Sequence, residues 1–186
     1  MDQRGLVERA RRGDHEAFAE LLDLRLARLD AAARLILRDA ELARDAVQEA
    51  MIRAWRDLPG LRDPDRFDAW LQRLLANACL DLVRRRKRRV IEVELTPIDA
   101  PSAHDFAGGL ADREMLEAAL GGLAPGHRAV VALHYLLGMP LSEVAASLGI
   151  PHGTAKSRLH YALAAMRIAV TAEPEPSAAT VAGGLT

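Results

Sequence analysis

The chain has 186 residues, is 50% hydrophobic and 27% charged, and so has the apolar content to fold as one ordinary domain or two small ones. Scarce aromatics (4%), 13 glycines and 9 prolines fit an alanine- and leucine-rich helical protein better than a sheet protein, and one cysteine excludes an internal disulfide framework or a cysteine-based zinc cluster. The net charge of -1 argues against a nucleic-acid binder only while the charge is treated as evenly spread, and no apolar run approaches the roughly 20 residues of a membrane span.

In chain order, Asp2 can cap a short helix that stops at Gly13, and Asp14 caps a second, HEAFAELLDLRLARLDAAARLILR, with Phe18, Leu21, Leu22 and Arg25 at helical spacing. The opening residues carry both signs of charge and no apolar core, so they do not read as a secretory signal; a soluble, cytoplasmic chain is expected. Asp39 or Ala40 begins a third helix, ELARDAVQEAMIRAWRDL, which Pro59-Gly60 ends. Pro64 suits the first turn of a long fourth helix, where its missing N–H costs no bond, and that helix runs to Arg89. From Val90 to Asp112 the chain has two prolines, two glycines and no lysine or arginine, and it reads as a linker. Helices resume at Asp112, stop at Gly121-Gly122, and restart at Pro125, at Leu141 and after Pro151; the tail from Thr171 is expected to be disordered. The expected fold is all-α: two small helical domains, 1–89 and 113–170, joined by a flexible acidic linker at 90–112, with a tail at 171–186.

The charge divides along the same lines. Residues 62–89 hold nine basic and four acidic side chains, while residues 90–112 hold five acidic and none basic. A phosphate backbone responds to local potential, so the +5 block matters more than the chain total.

Residues 141–167 have the length and punctuation of a helix-turn-helix. Ser142 is expected to cap the first helix, Gly149-Ile150-Pro151 makes the turn, and Ala145 is small where the two helices cross. At about 100° per residue, Ala155, Leu159, Ala162 and Met166 fall on the packed side of the second helix. Gly153, Lys156, Ser157 and His160 fall opposite, with Tyr161 at the edge, and His152 to Arg167 contains no acid. Such a face suits a major groove; the plainer reading is a surface helix of an interaction domain. The four histidines from His127 to His160 lack metal spacing and are read as packing or solvated residues.

In the fourth helix, Phe67, Leu71, Leu74, Ala78 and Leu82 are the expected buried stripe. Arg66, Arg73, Asn77 and Arg84 form another, with Trp70 and Asp81 beside it, a set able to hold phosphates and stack on exposed bases. Six basic residues, Arg84 to Arg89, finish the helix, and from the run alone phosphate contact and a solvated, dipole-compensating end are both open. On the third helix Asp45, Gln48, Glu49 and Arg53 make a polar face that suits either a protein docking surface or plain solvation.

The segments RGDHEAFAELL, DAVQEAMIRAW, FDAWLQRLLANACLDLVRRRKRR and LSEVAASLGIPHGTAKSRLHYALAAMR, in this order and spacing, resemble the signature segments of the extracytoplasmic-function (ECF) sigma factors, bacterial transcription initiation factors. The resemblance implies that Asp45, Gln48, Glu49 and Arg53 dock on the β′ clamp helices of core RNA polymerase. It implies that Arg62, Arg66, Trp70, Arg73, Asn77 and Arg84 serve capture and opening of a minus-ten promoter element. The second domain would sit on the β flap and read a minus-thirty-five element through His152, Gly153, Thr154, Lys156, Ser157, Arg158, His160 and Tyr161. The acidic linker would thread a basic polymerase channel, and an anti-sigma factor is an expected partner; no cofactor, metal or membrane insertion is implied. Two residues depart from the family pattern, Tyr161 in place of a common arginine and Ala155 in place of a usual valine, and both bear on which promoter sequence is read.

Two rival classes read less well. A freestanding helix-turn-helix regulator would need a receiver domain, and the N-terminal half lacks the alternating strand and helix pattern of one. An enzyme would need a catalytic motif; Cys79 sits in an apolar helical stripe as a core residue, and no glycine-rich phosphate loop or nucleophile motif is present.

Overall fold

The computed structural model describes residues 2–92 and 120–171, and every regular element among them is helical. The first domain has four helices, α1 (Gln3–Arg11), α2 (His15–Leu37), α3 (Ala40–Asp57) and α4 (Phe67–Glu92), with short 3-10 turns at Leu58–Gly60 and Pro64–Arg66 between the last two. The second has α5 (Pro125–Val131), which continues into a π turn (Ala132–Leu136), then α6 (Leu141–Leu148) and α7 (His152–Thr171). Most of the expected linker, the helix expected from Asp112 up to Ala119, and the tail after Thr171 lie outside the described residues.

Three aspartates start the first three helices. Asp2 accepts from the Gly5 N–H at 2.9 Å, Asp14 from Ala17 at 3.0 Å, and Asp39 from both Glu41 and Leu42 at 3.1 Å. Each satisfies backbone donors that the helix itself leaves unpaired and contributes about 1 kcal/mol. The expected cap at Ser142 is not formed. Helix α6 begins at Leu141, with the cap position at Pro140, two residues before Ser142, and no side-chain cap bond, so Ser142 lies in the first turn. Pro64 opens a 3-10 turn rather than α4 itself; Asp63 caps that turn through the Asp65 N–H, and α4 follows from Phe67. At its other end α4 runs on to Glu92, three residues past the expected boundary at Arg89, so Val90 and Ile91, read as the start of the linker, continue the helix.

Helix α4 packs on α2 and α3 through Phe67, Leu71 and Ala78, as its periodicity predicts, but the stripe is broader than predicted. Leu75, Ala76 and Cys79 are fully buried, whereas Leu74 and Leu82 are only partly so. Besides α2 and α3, α4 also meets the second domain. Helix α6 lies against α4, and α2 lies against α5 and the π turn, so the apolar interior runs continuously from one domain to the other. The sequence reading contains no such seam, since it joins the two domains only by a tether.

Candidate nucleic-acid interface

Two donor-rich surfaces and one mixed-charge surface carry the residues singled out from the sequence. The first centres on the start of α4. Arg62 and Arg66 are exposed around the Pro64–Arg66 turn, Arg73 and Arg84 are exposed along the helix, and Trp70 and Asn77 are partly buried between them. Arg25 fixes the root of this surface: its guanidinium pairs with Asp68, donates to Gln3 Oε1 at 2.6 Å, and lies 5.4 Å from the centre of the Phe67 ring. Phe67 in turn supports Trp70, with ring centres 5.9 Å apart. The indole is thus held by its neighbour while part of its surface stays open to solvent, which is what stacking on an unpaired base requires. Sequence reasoning assigned Arg25 only a place in the helical spacing; a lone arginine at a half-buried helix position, 43 residues from its carboxylate partner, gives no local signal of this role.

The second surface is the N-terminal half of α7. Helix α6 ends in a left-handed Gly149 (φ 63°), and the Ile150 N–H returns to the Ala145 carbonyl at 3.0 Å, a Schellman-type closure that sets the angle into the next helix. The Pro151 carbonyl then accepts from Thr154 and Ala155 and starts α7. Ala155 and Ala162 have no exposed surface, and Leu159 and Met166 pack beside them, so the predicted packed side is the observed one. His152, Gly153, Lys156, Ser157, His160 and Tyr161 are exposed on the other side.

Thr154 and Arg158 are less available. Thr154 is partly buried and its carbonyl accepts from Ser157 Oγ at 3.0 Å. The Arg158 guanidinium turns back along α5, so close that a Cβ built on Gly126 would stand 3.0 Å from it. Tyr161 has its ring centre 5.0 Å from that of His127. The Nδ1 of His127 is buried with no hydrogen-bond partner among the described residues, and burial, followed by the nearby Arg158 charge, holds its pKa below the ordinary histidine value.

On α3, Asp45, Gln48 and Glu49 are exposed and Arg53 is partly buried. Arg53 Nε donates to Glu49 at 2.7 Å, and Arg53 Nη1 lies 3.6 Å from Asp81 of α4. Asp81 also lies 3.5 Å from Arg84, so a row of alternating charges joins this face to the basic end of α4. Ile52 stands among these residues with 53% of its surface exposed, an apolar contact site that the polar periodicity did not single out. Arg84, Arg85 and Arg86 of the basic run are exposed, and Arg86 lies 3.8 Å from the capping carboxylate of Asp39. No group of His, Cys, Asp or Glu side chains able to hold a metal occurs among the described residues.

Residues 21–89 match the family Sigma-70 region 2, and residues 113–166 match Sigma-70, region 4. The chain is 37% identical to an RNA polymerase sigma-E factor of Streptomyces avermitilis over 83% of its own length and 86% of that protein's. It is 36% identical to the ECF RNA polymerase sigma factor SigL of Mycobacterium tuberculosis, over 70% of its length and 75% of the relative's. Among solved structures it is similar to the sigma factor RpoE of Bartonella quintana, seen in complex with the anti-sigma factor NepR. That likeness has a TM-score of 0.72 and 26% identity, and covers 84% of this chain and 98% of the other. The two surfaces lie in the two matched regions, and the chain belongs to the ECF RNA polymerase sigma factors, the factors with which transcription is initiated.

Proposed function

We propose that this sigma factor binds core RNA polymerase through the α3 face bearing Asp45, Gln48, Glu49, Ile52 and Arg53. In this reading residues 1–89 read and open a minus-ten element, residues 113–170 read a minus-thirty-five element, and the segment between them is a tether. The observation that carries it is the α7 face: six exposed residues without a carboxylate, on a helix whose other side is anchored by Ala155 and Ala162. Lys156 supplies the cation, while Ser157 and His160 can reach base edges in a major groove.

The chain catalyses no reaction in this account and works in the cytoplasm, where the polymerase is. Opening the duplex needs no fuel from it, because Trp70, Asn77 and the arginines around them bind unpaired DNA better than paired DNA and shift the equilibrium by that difference. Carriage of both domains by one polymerase makes the second contact intramolecular, so each can be weak alone. An inhibitory anti-sigma factor is a further expected partner, by analogy with the NepR complex of the similar RpoE.

The test is transcription by core polymerase on genomic template with the purified chain, followed by start-site mapping. Transcripts should share two upstream elements, and Lys156→Ala should weaken use of the farther one several-fold while polymerase binding is retained. Absence of any promoter-specific transcript overturns the reading.

A further inference from the structure

An α-helix with its side chains is about 10–12 Å across, and the major groove of B-DNA is about 12 Å wide. A helix lying in that groove turns its central stripe to base edges and its flanks to the two rows of phosphates. On α7 the central stripe is Gly153, Lys156, Ser157 and His160, all exposed. Arg158 and Tyr161 stand on the flank that meets α5, three positions apart and so on one side of the helix.

That flank gathers polar groups without partners. The Arg158 guanidinium lies over Gly126 of α5, where a Cβ would stand 3.0 Å from one of its nitrogens. Arg158 is partly buried, and no carboxylate or hydrogen-bond acceptor meets it among the described residues. Its charge reaches His127, the next residue of α5: after burial, it is the second cause that holds the His127 pKa low, so the ring stays neutral at neutral pH. The Tyr161 ring leans on that neutral ring at 43° between planes, and 61% of Tyr161 stays exposed. Neither α5 nor α7 has an acidic residue in its first turn. The result is a half-buried cation with no counter-ion beside a braced aromatic that carries a hydroxyl, and both groups are ordinary donors to phosphate.

We propose that Arg158 and Tyr161, backed by Gly126 and His127, form a seat for one backbone phosphate of the upstream promoter element, fixing affinity and register without reading a base. The seat rests on the proposed function of α7 and refines it: Lys156, Ser157 and His160 are left as the base readers, while Arg158 and Tyr161 hold the duplex from the side. Gly126 supplies room, since a side chain there would crowd the guanidinium. His127 is a positioning residue; its Nδ1 is buried away from any DNA, and the ring acts through Tyr161. A phosphate at the seat supplies the counter-ion that Arg158 lacks, and a partly buried charge gains more from its partner than a solvated one. Such a contact adds one released counter-ion to the salt dependence of binding and nothing to sequence preference. An acidic protein surface would satisfy the same donors, but the seat adjoins the exposed, acid-free stripe from His152 to His160, which has the form of a duplex contact.

The test is equilibrium binding of the full chain with core polymerase to a duplex carrying the upstream element that start-site mapping defines, over a range of salt concentrations. The same duplex is also prepared with single phosphates replaced by neutral methylphosphonates. Arg158→Gln should weaken binding several-fold, alike on every base variant of the element, and reduce the slope of log K against log salt by about one. At least one methylphosphonate that weakens binding of the unsubstituted chain several-fold should have no further effect on Arg158→Gln. Tyr161→Phe should lose affinity at that same phosphate with an unchanged salt slope, because the hydroxyl it removes is neutral. Where Arg158→Gln lowers helical content, Gly126→Ala makes the comparison, since it displaces only the flexible end of Arg158. An unchanged salt slope, with methylphosphonate effects that persist undiminished, overturns the seat while promoter binding stands. So does a change in the preferred base, which would make Arg158 a base reader, or a loss confined to core-polymerase binding, which would assign it to an acidic protein surface. Binding to the element no tighter than to a scrambled duplex, before any substitution, overturns the proposed function itself and the seat with it.

Discussion

His127 has its Nδ1 buried with no partner among the described residues, and its pKa is lowered by burial and by Arg158. The unfolded chain therefore binds the His127 proton more readily than the folded one over the interval between the two values, and stability falls as pH drops through it. The contribution is complete above the ordinary value of 6.5 and is lost as pH falls through the lowered one. We expect the second domain to melt at lower temperature as pH goes from about 7.5 to about 5.5. His127→Phe keeps a ring against Tyr161 and should show a shallower dependence in thermal unfolding followed by circular dichroism; equal slopes would remove His127 from the account. Cys79, with no exposed surface, has its thiol pushed up to about 12 by burial. A thiol so held and so enclosed is a poor nucleophile, so alkylation should track global unfolding, with negligible modification of the native chain on the time scale in which free cysteine reacts fully.

The helix-turn-helix turn depends on backbone conformation more than on contacts. A Cβ added to Gly149 meets nothing within 4 Å, so the cost of Gly149→Ala comes from the left-handed φ of 63° alone. We expect a loss of about 1 kcal/mol, read from denaturant midpoints, together with weaker use of the upstream promoter element as the angle between α6 and α7 relaxes. Elements of this kind were legible in the sequence because their signals are local. The aspartate caps of α1, α2 and α3, the Gly149-Ile150-Pro151 turn, and the packed alanines of α7 all follow from residues within one or two turns of each other. Where the reading missed, the cause was either distant packing or a local alternative that side-chain pattern does not reveal. The burial of Leu75 and Ala76 follows from α4 packing on several sides, α6 included, and not from one helical stripe. The π turn at Ala132–Leu136 widens a helix that reads as ordinary in VVALHYLL, and its ends are fixed by Leu137 N–H to Ala132 and Met139 N–H to Leu133. Ser142 offered a good capping side chain, but Pro140 fixes the chain direction one residue before the helix begins.

Over the whole molecule, the sequence showed two helical units and two candidate DNA surfaces, but it could not show that the units meet. Arg28 and Leu136 are 108 positions apart, and Arg128 and Ile36 are 92 apart; each donor looks like an ordinary helix arginine until the partner carbonyl is placed beside it. For the candidate site, exposure of Lys156, Ser157 and His160 followed from helical phase, whereas the inward turn of Arg158 and the support of Trp70 by Phe67 and Arg25 did not. Under the proposed function the two surfaces have separate duties on one promoter, the first opening the duplex and the second seating the polymerase. Permanganate footprinting of unpaired thymines near the start site, with core polymerase and saturating chain, tests that division directly. Trp70→Ala should lose reactivity at least about tenfold even at saturation, and Lys156→Ala should need more chain but reach the full footprint. A Trp70→Ala chain that opens the promoter normally, with a Lys156→Ala chain that cannot open it at any concentration, would contradict the account.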